Sequence, residues 1–156
     1  MTSQDLQVTI DISAPPAQVW RLVSDVRRMG EWSPECRKVI VWRRGGRARL
    51  GTWLTGINKS GWVVWPASAK IDLYDDERAI GWRVLESGAR WSYRLEFVGG
   101  VTRLTERREL PDGKTWFAEI FARAALGGDE NHDRILRRGM EKTLRRIKDE
   151  AESAGP

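Results

Sequence analysis

The first patterned stretch, LQVTIDI, alternates apolar and polar residues and puts Val8, Ile10 and Ile12 on one side. A period of two predicts a half-buried strand. The period then changes. In SAPPAQVWRLVSDVRRMGEW, Val19, Trp20, Val23 and Val26 recur at helical spacing. Pro15 and Pro16 suit a helix's first turn, where a missing N–H costs little. Gly30 is expected to break this helix, leaving a second short turn that ends near Trp32. Ser33 precedes a proline, which disfavours helical backbone, so the helical part should stop there and Cys36 should open the next strand.

From Cys36 to Leu110 the pattern is strand after strand: CRKVIVW, LGTWLTGIN, WVVWPASAKIDLY, RAIGWRVLE, RWSYRLEF and VTRLTERREL. The basic tip RRGGRAR and the turns KSG, DDE, SGA and VGG separate them, mostly with the Gly, Asn or Asp that tight hairpins need. These runs predict a six-strand meander, which the first strand extends to seven. Beyond PDG, KTWFAEIFARAALGG sets Trp116, Phe117, Ile120, Phe121 and Ala124 on one helical face. Gly127 and Gly128 then precede a last helix, with Asp129 as its expected cap and an apolar stripe of Leu136, Met140, Leu144, Ile147 and Ala151.

A long amphipathic helix must cover an apolar surface, and the sheet is the only large one. The expected fold is therefore α+β, a helix grip. A seven-stranded curved antiparallel sheet wraps a long C-terminal helix, and two short helices follow the first strand. No repeat, linker or composition shift divides the chain, so residues 1–156 are expected to form one domain.

Alternation also predicts which side chains face the helix. On the inward side we place Leu50, Thr52, Leu54, Gly56 and Asn58 of the third strand, leaving Trp53 and Ile57 on the convex face as a possible dimer contact. The fourth strand should turn in Val63, Trp65, Ala67, Ala69, Ile71 and Leu73. The fifth should add Ile80, Trp82 and Val84, and the sixth Trp91, Tyr93, Leu95 and Phe97. Thr102, Leu104, Glu106, Arg108 and Leu110 complete the set from the seventh. The result is a tryptophan-walled interior with a few polar groups, the usual composition of a small-molecule pocket.

Composition sharpens this picture. Nine tryptophans in 156 residues are many for a small domain and fit a wide core or a cavity wall. One cysteine excludes an internal disulfide and suits a reducing cytoplasm. One histidine and one cysteine exclude the usual nitrogen-and-sulfur zinc site, and no metal or other cofactor is expected. The N-terminal residues show no secretory pattern, and no apolar run approaches the roughly 20 residues that cross a bilayer. A cytoplasmic protein without stable membrane insertion is the expectation. The net charge of +5 comes from 27 basic and 22 acidic residues. They read as intermixed, so a solvated surface rather than a nucleic-acid partner is expected.

Several of these stretches also coincide with a known family. ISAPPAQVWRLVSDVRRMGEWSPEC, GINKSG, WSYRLEF with GGVTRLTERRE, and GMEKTLRRIKDEAE stand in the family's order and span nearly the whole chain. The chain resembles the SRPBCC superfamily, which includes START-related lipid-transfer domains and the birch-pollen allergen group. It is most similar to the polyketide cyclase/dehydrase-like proteins abundant in actinobacteria. That resemblance implies a deep hydrophobic pocket for lipids, sterols, polyketides or other apolar molecules. It implies no single chemistry. In such proteins WFAEIFARAALGG occupies a variable connection, so residues 114–128 are a candidate gate.

Three functions are compatible with these features. A binding or carrier protein for a hydrophobic small molecule, as monomer or homodimer, ranks first. Its expected contacts are Trp32, Leu54, Asn58, Trp65, Trp82, Trp91, Tyr93, Glu106, Leu136 and Met140. A polyketide cyclase/dehydratase-type enzyme is second, with Glu35, Glu106 and His132 as candidate acid–base groups. Glu106 and Arg108 share a face, and they can pair with each other or orient a ligand. A regulatory or toxin-like interaction protein, using the basic helix or the convex face, is third. Cys36 lacks the electropositive setting of a reactive thiolate, so the EWSPEC segment reads as a joint between helix and strand.

Overall fold

Residues 5–111 and 129–154 are described by the computed structural model. In chain order they form β1 (Leu6–Ile12), α1 (Pro16–Val23), α2 (Met29–Trp32), β2 (Cys36–Val41), β3 (Trp53–Ser60), β4 (Val63–Asp75), β5 (Ala79–Val84), β6 (Arg90–Val98), β7 (Val101–Glu109) and α3 (Asp129–Ser153). All strand pairs are antiparallel, in the order β1-β7-β6-β5-β4-β3-β2. This is the expected helix grip: a curved seven-stranded sheet with a long C-terminal helix.

The apolar stripe of α3 is buried along its length, from Leu136 and Met140 through Leu144 and Ile147 to Ala151. Burying each of the four larger side chains contributes about 1.5–3 kcal/mol. Ile147 and Leu144 join Ile12, Val19, Ile71, Ile80 and Leu104 in the main core. Polar contacts set the helix position. Arg146 Nη1 donates to the Trp32 carbonyl at 3.1 Å, while the Thr143 hydroxyl donates at 2.8 Å to the Gly139 carbonyl one turn earlier and lies 3.4 Å from that of Trp32. Near its end, Glu152 accepts from the Ser13 N–H at 2.8 Å, and Gln18 donates to the Ala151 carbonyl. A Cβ at Gly139 would sit 3.4 Å from Pro34, so the glycine lets α3 come close to the α2–β2 joint.

Four expectations need correction. The first helix ends at Ser24 rather than Gly30, because Ser24 returns both its N–H and its hydroxyl to the Trp20 carbonyl (2.9 and 2.6 Å). Gly30 instead lies inside α2, where a Cβ would stand 2.8 Å from the Arg37 carbonyl oxygen. Leu50 is exposed, since β3 starts only at Trp53. In β4 a bulge between Ile71 and Leu73 shifts the register against β5. Alternation therefore changes phase, and Tyr74 packs on the core with its ring 5.5 Å from that of Trp20, edge to face. Phe97, next to the last residue of β6, is 61% exposed, although its cross-strand partner Thr102 is buried. The remaining inward assignments hold, including all five in β7 and its continuation: Thr102, Leu104, Glu106, Arg108 and Leu110 are buried.

Candidate functional site: a cavity between sheet and helix

The inward side chains of the sheet do not fill the space beneath α3. Gly56 of β3 pairs directly with Ala67 of β4, and Leu54 pairs with Ala69. Three small residues on adjacent strands leave room where larger ones would close the core. The resulting cavity has a volume of about 420 Å³, within the roughly 300–1,000 Å³ typical of small-molecule sites. Trp65, Trp82, Trp91, Leu54, Val84 and Leu110 form its apolar walls, and Leu136 closes it from α3. The α2–β2 joint adds Ser33, Glu35 and Cys36 at one side, and the β5–β6 turn adds Glu86, Ser87 and Ala89 at another.

Of the three glutamates bordering this space, Glu35 and Glu106 are held above the ordinary carboxylate range by burial. Glu106 and Tyr93 are direct cross-strand partners, and the phenol hydrogen bonds to the carboxyl. Burial raises the Glu106 carboxyl to about 8, against the smaller opposing effect of that hydrogen bond. It therefore carries a proton at neutral pH. Its Oε1 has no hydrogen-bond partner among the described residues. Burial, and then the neighbouring Glu106, push the Tyr93 phenol well above its ordinary value. Glu35 is raised by burial too, with the charge of Arg108 acting against the shift, and its Oε1 also has no partner among the described residues. Arg108 is lowered by burial and lies 3.8 Å from Asp133 of α3. It turns to Asp133 rather than pairing with Glu106.

The other candidates divide. Glu35, Leu54, Asn58, Trp65, Trp82, Trp91, Tyr93, Glu106 and Leu136 all reach the cavity. Trp32 and Met140 do not. Trp32 is a buried core residue beneath the Arg28 guanidinium, 4.8 Å from its ring centre, and Met140 packs with Leu6 and Leu136. The His132 side chain and the candidate gate at 114–128 lie outside the described residues. Cys36 is buried, with its thiol raised to about 11 by burial, as a structural joint requires. Ser87 escaped the sequence reading because it sits in a turn, where no periodicity marks direction. Glu86 closes the run RAIGWRVLE in phase with Ile80, Trp82 and Val84 but was not named inward with them; the structure ends that strand at Val84 and places Glu86 in the turn. Among the described residues no cluster of His, Cys, Asp or Glu could hold a metal, and no helix is long and apolar enough to cross a membrane.

A helix grip around a tryptophan-walled cavity defines a class of proteins built around an interior site. Residues 3–152 match the sequence profile described as "Polyketide cyclase / dehydrase and lipid transport", and the chain belongs to that family. It is 32% identical to the polyketide-cyclase-like protein Cgl2372 from Corynebacterium glutamicum, with a TM-score of 0.62 over 95% of this chain and 91% of that one. The Zhui aromatase/cyclase from a Streptomyces species superposes with a TM-score of 0.70 at 17% identity, over 96% and 93% of the two chains. Ara h 8.0201 gives 0.65 at 14% identity, over 96% and 97%. The last two likenesses concern the fold alone. No protein of curated function matches the chain significantly in sequence.

Proposed function

We propose that this protein binds a small, largely apolar molecule in the cavity between sheet and α3, as a carrier or receptor. The hollow itself carries this reading: about 420 Å³ walled by Trp65, Trp82, Trp91 and aliphatic side chains, with few polar groups. Burial of apolar ligand surface supplies affinity, and the polar end sets orientation. A protonated Glu106 beside Tyr93 offers an O–H donor to a ligand carbonyl or hydroxyl oxygen. The test is titration with the neutral dye N-phenyl-1-naphthylamine, followed by native mass spectrometry after exposure to lipid and aromatic extracts. Saturable dye binding and a retained compound that displaces it are expected. Protein that recovers empty and leaves the dye unbound would sink the reading.

The carboxyl oxygens of Glu35 and Glu106 that border the cavity without a partner among the described residues favour a second reading, a cyclase or dehydratase. Glu106 would supply a proton to a carbonyl or departing hydroxyl, and Glu35, in its ionised form, would accept one from carbon. Turnover of a retained poly-carbonyl compound, abolished in both Glu35→Gln and Glu106→Gln while binding persists, separates enzyme from carrier. Unchanged turnover in either variant removes this reading.

A further inference from the structure

Outside the cavity, one surface stands apart in charge. From Cys36 to Ile71 there is no Asp or Glu, while Arg37, Lys38, Lys59, Lys70 and the four arginines 43, 44, 47 and 49 are all basic. The density peaks in the loop between β2 and β3. Arg43, Arg44, Arg47 and Arg49 are exposed there, and so are Trp42 (63%), Leu50 (66%) and Trp53 (43%). Lys70 of β4 adds its ammonium 5.5 Å from the Trp53 ring centre.

The loop is held in shape. Ala48 is buried like a plug between the exposed Arg47 and Arg49. The Arg49 N–H donates to Thr52 Oγ1 at 2.9 Å, Gly51 N–H to the Ile71 carbonyl at 2.8 Å, and Arg43 Nη1 to the Arg47 carbonyl at 3.2 Å. Gly45, Gly46 and Gly51 take positive φ angles of 84°, 68° and 85°, which other residues adopt only with strain. A fixed backbone thus presents cations and large apolar side chains together, although the apolar groups gain nothing from contact with water.

We infer that this β2–β3 loop docks on the surface of an anionic phospholipid bilayer. Arginine and lysine pair with lipid phosphates; Trp42 and Trp53 suit the headgroup layer, where indole rings partition; Leu50 reaches toward the acyl chains. A second copy of the chain is a poor occupant, because two such faces would oppose cations with cations. Nucleic acid would satisfy the arginines but leave Leu50 without a counterpart. The inference does not rest on what the cavity holds.

Co-sedimentation with vesicles tests it, comparing phosphatidylcholine alone with phosphatidylcholine containing 30% phosphatidylglycerol. Binding only to the anionic vesicles, weakening as salt rises from 20 to 150 mM, is expected. Each basic residue near the surface is worth about fivefold in partitioning, so Arg43→Glu/Arg44→Glu/Arg47→Glu should lose at least about a hundredfold. Leu50→Ser should lose several-fold. Trp62→Ser, at a fully exposed site in the β3–β4 turn, should match the wild type. Unchanged thermal melts verify that the variants fold. Equal binding to neutral vesicles, or retention by the triple variant, overturns the inference. So does tighter binding to a DNA oligonucleotide at the same salt with Leu50→Ser indistinguishable from wild type.

Discussion

Glu106 is where a single residue ties stability to pH. In the native protein its carboxyl stays protonated up to about 8, whereas unfolding returns it to an ordinary value of 4.5. Between those two points the native chain holds a proton that the unfolded chain has released. Stability from this group is therefore complete below 4.5, declines as pH rises, and is exhausted once pH passes 8. The expected span is on the order of a few kcal/mol. Urea unfolding should give a higher midpoint at pH 5 than at pH 9. Glu106→Gln keeps an acceptor for Tyr93 but cannot ionise, so its profile should flatten and it should exceed the wild type at pH 9. A wild-type midpoint that rises with pH across this window, or a variant profile parallel to it, would refute the assignment. Cys36 provides a second check. With its thiol raised to about 11, the folded protein should resist iodoacetamide at pH 8, and alkylation should begin only in urea.

At the scale of elements, two glycines that look alike in sequence behave differently. Gly30 lies in α2 against β2, and alanine there would press its Cβ on the Arg37 carbonyl at 2.8 Å. Backbone cannot yield as a flexible side chain does. The clash should outweigh the gain in helix propensity of up to about 1 kcal/mol and leave Gly30→Ala about 1–3 kcal/mol less stable. Gly56 faces the cavity, where a Cβ meets only ordinary contacts at 3.8 and 4.0 Å, so Gly56→Ala should hold or slightly raise stability. Chemical denaturation of both variants decides the matter, and equal losses would contradict the argument. The same pair shows what patterning reveals. Alternation correctly directed Gly56, Ala67, Trp82 and Tyr93 inward, because a strand between solvent and a core has only two faces. It failed at Leu73, where a bulge adds a residue without leaving a sequence mark, and at Phe97, which lies exposed beside the β6–β7 turn. It misread Gly30 because a glycine needed for close approach resembles one that ends a helix.

Across the whole molecule, the hollow beneath α3 is a choice of volume over packing. Gly56, Ala67 and Ala69 forgo apolar contacts that larger side chains would make, and unfilled space of this kind weakens a core by about 24 cal/mol per Å³. Tryptophan abundance made an aromatic wall legible in the sequence, but not whether the rings would meet. That depends on small residues two strands away. Charge was read too coarsely for a related reason. Totals of 27 and 22 look mixed, yet the acid-free run from Cys36 to Ile71 folds into neighbouring strands and concentrates one sign on one part of the surface. The volume argument yields a sharp test at Ala67, which stands opposite Gly56 and borders the cavity. Leucine there projects into empty space rather than against backbone. The ligand-free Ala67→Leu protein should therefore be more stable by about 0.5–2 kcal/mol. The same side chain occupies the ligand's room. At a dye concentration one hundred times its dissociation constant for the wild type, binding should stabilise the wild type by about 2.7 kcal/mol and the variant far less. Stability and binding are thus expected to move in opposite directions upon one substitution, measured by denaturation with and without dye. If both fall together, leucine has met a packed interior and the cavity does not exist as a binding space. If both rise, the dye binds elsewhere and the hollow is not its site.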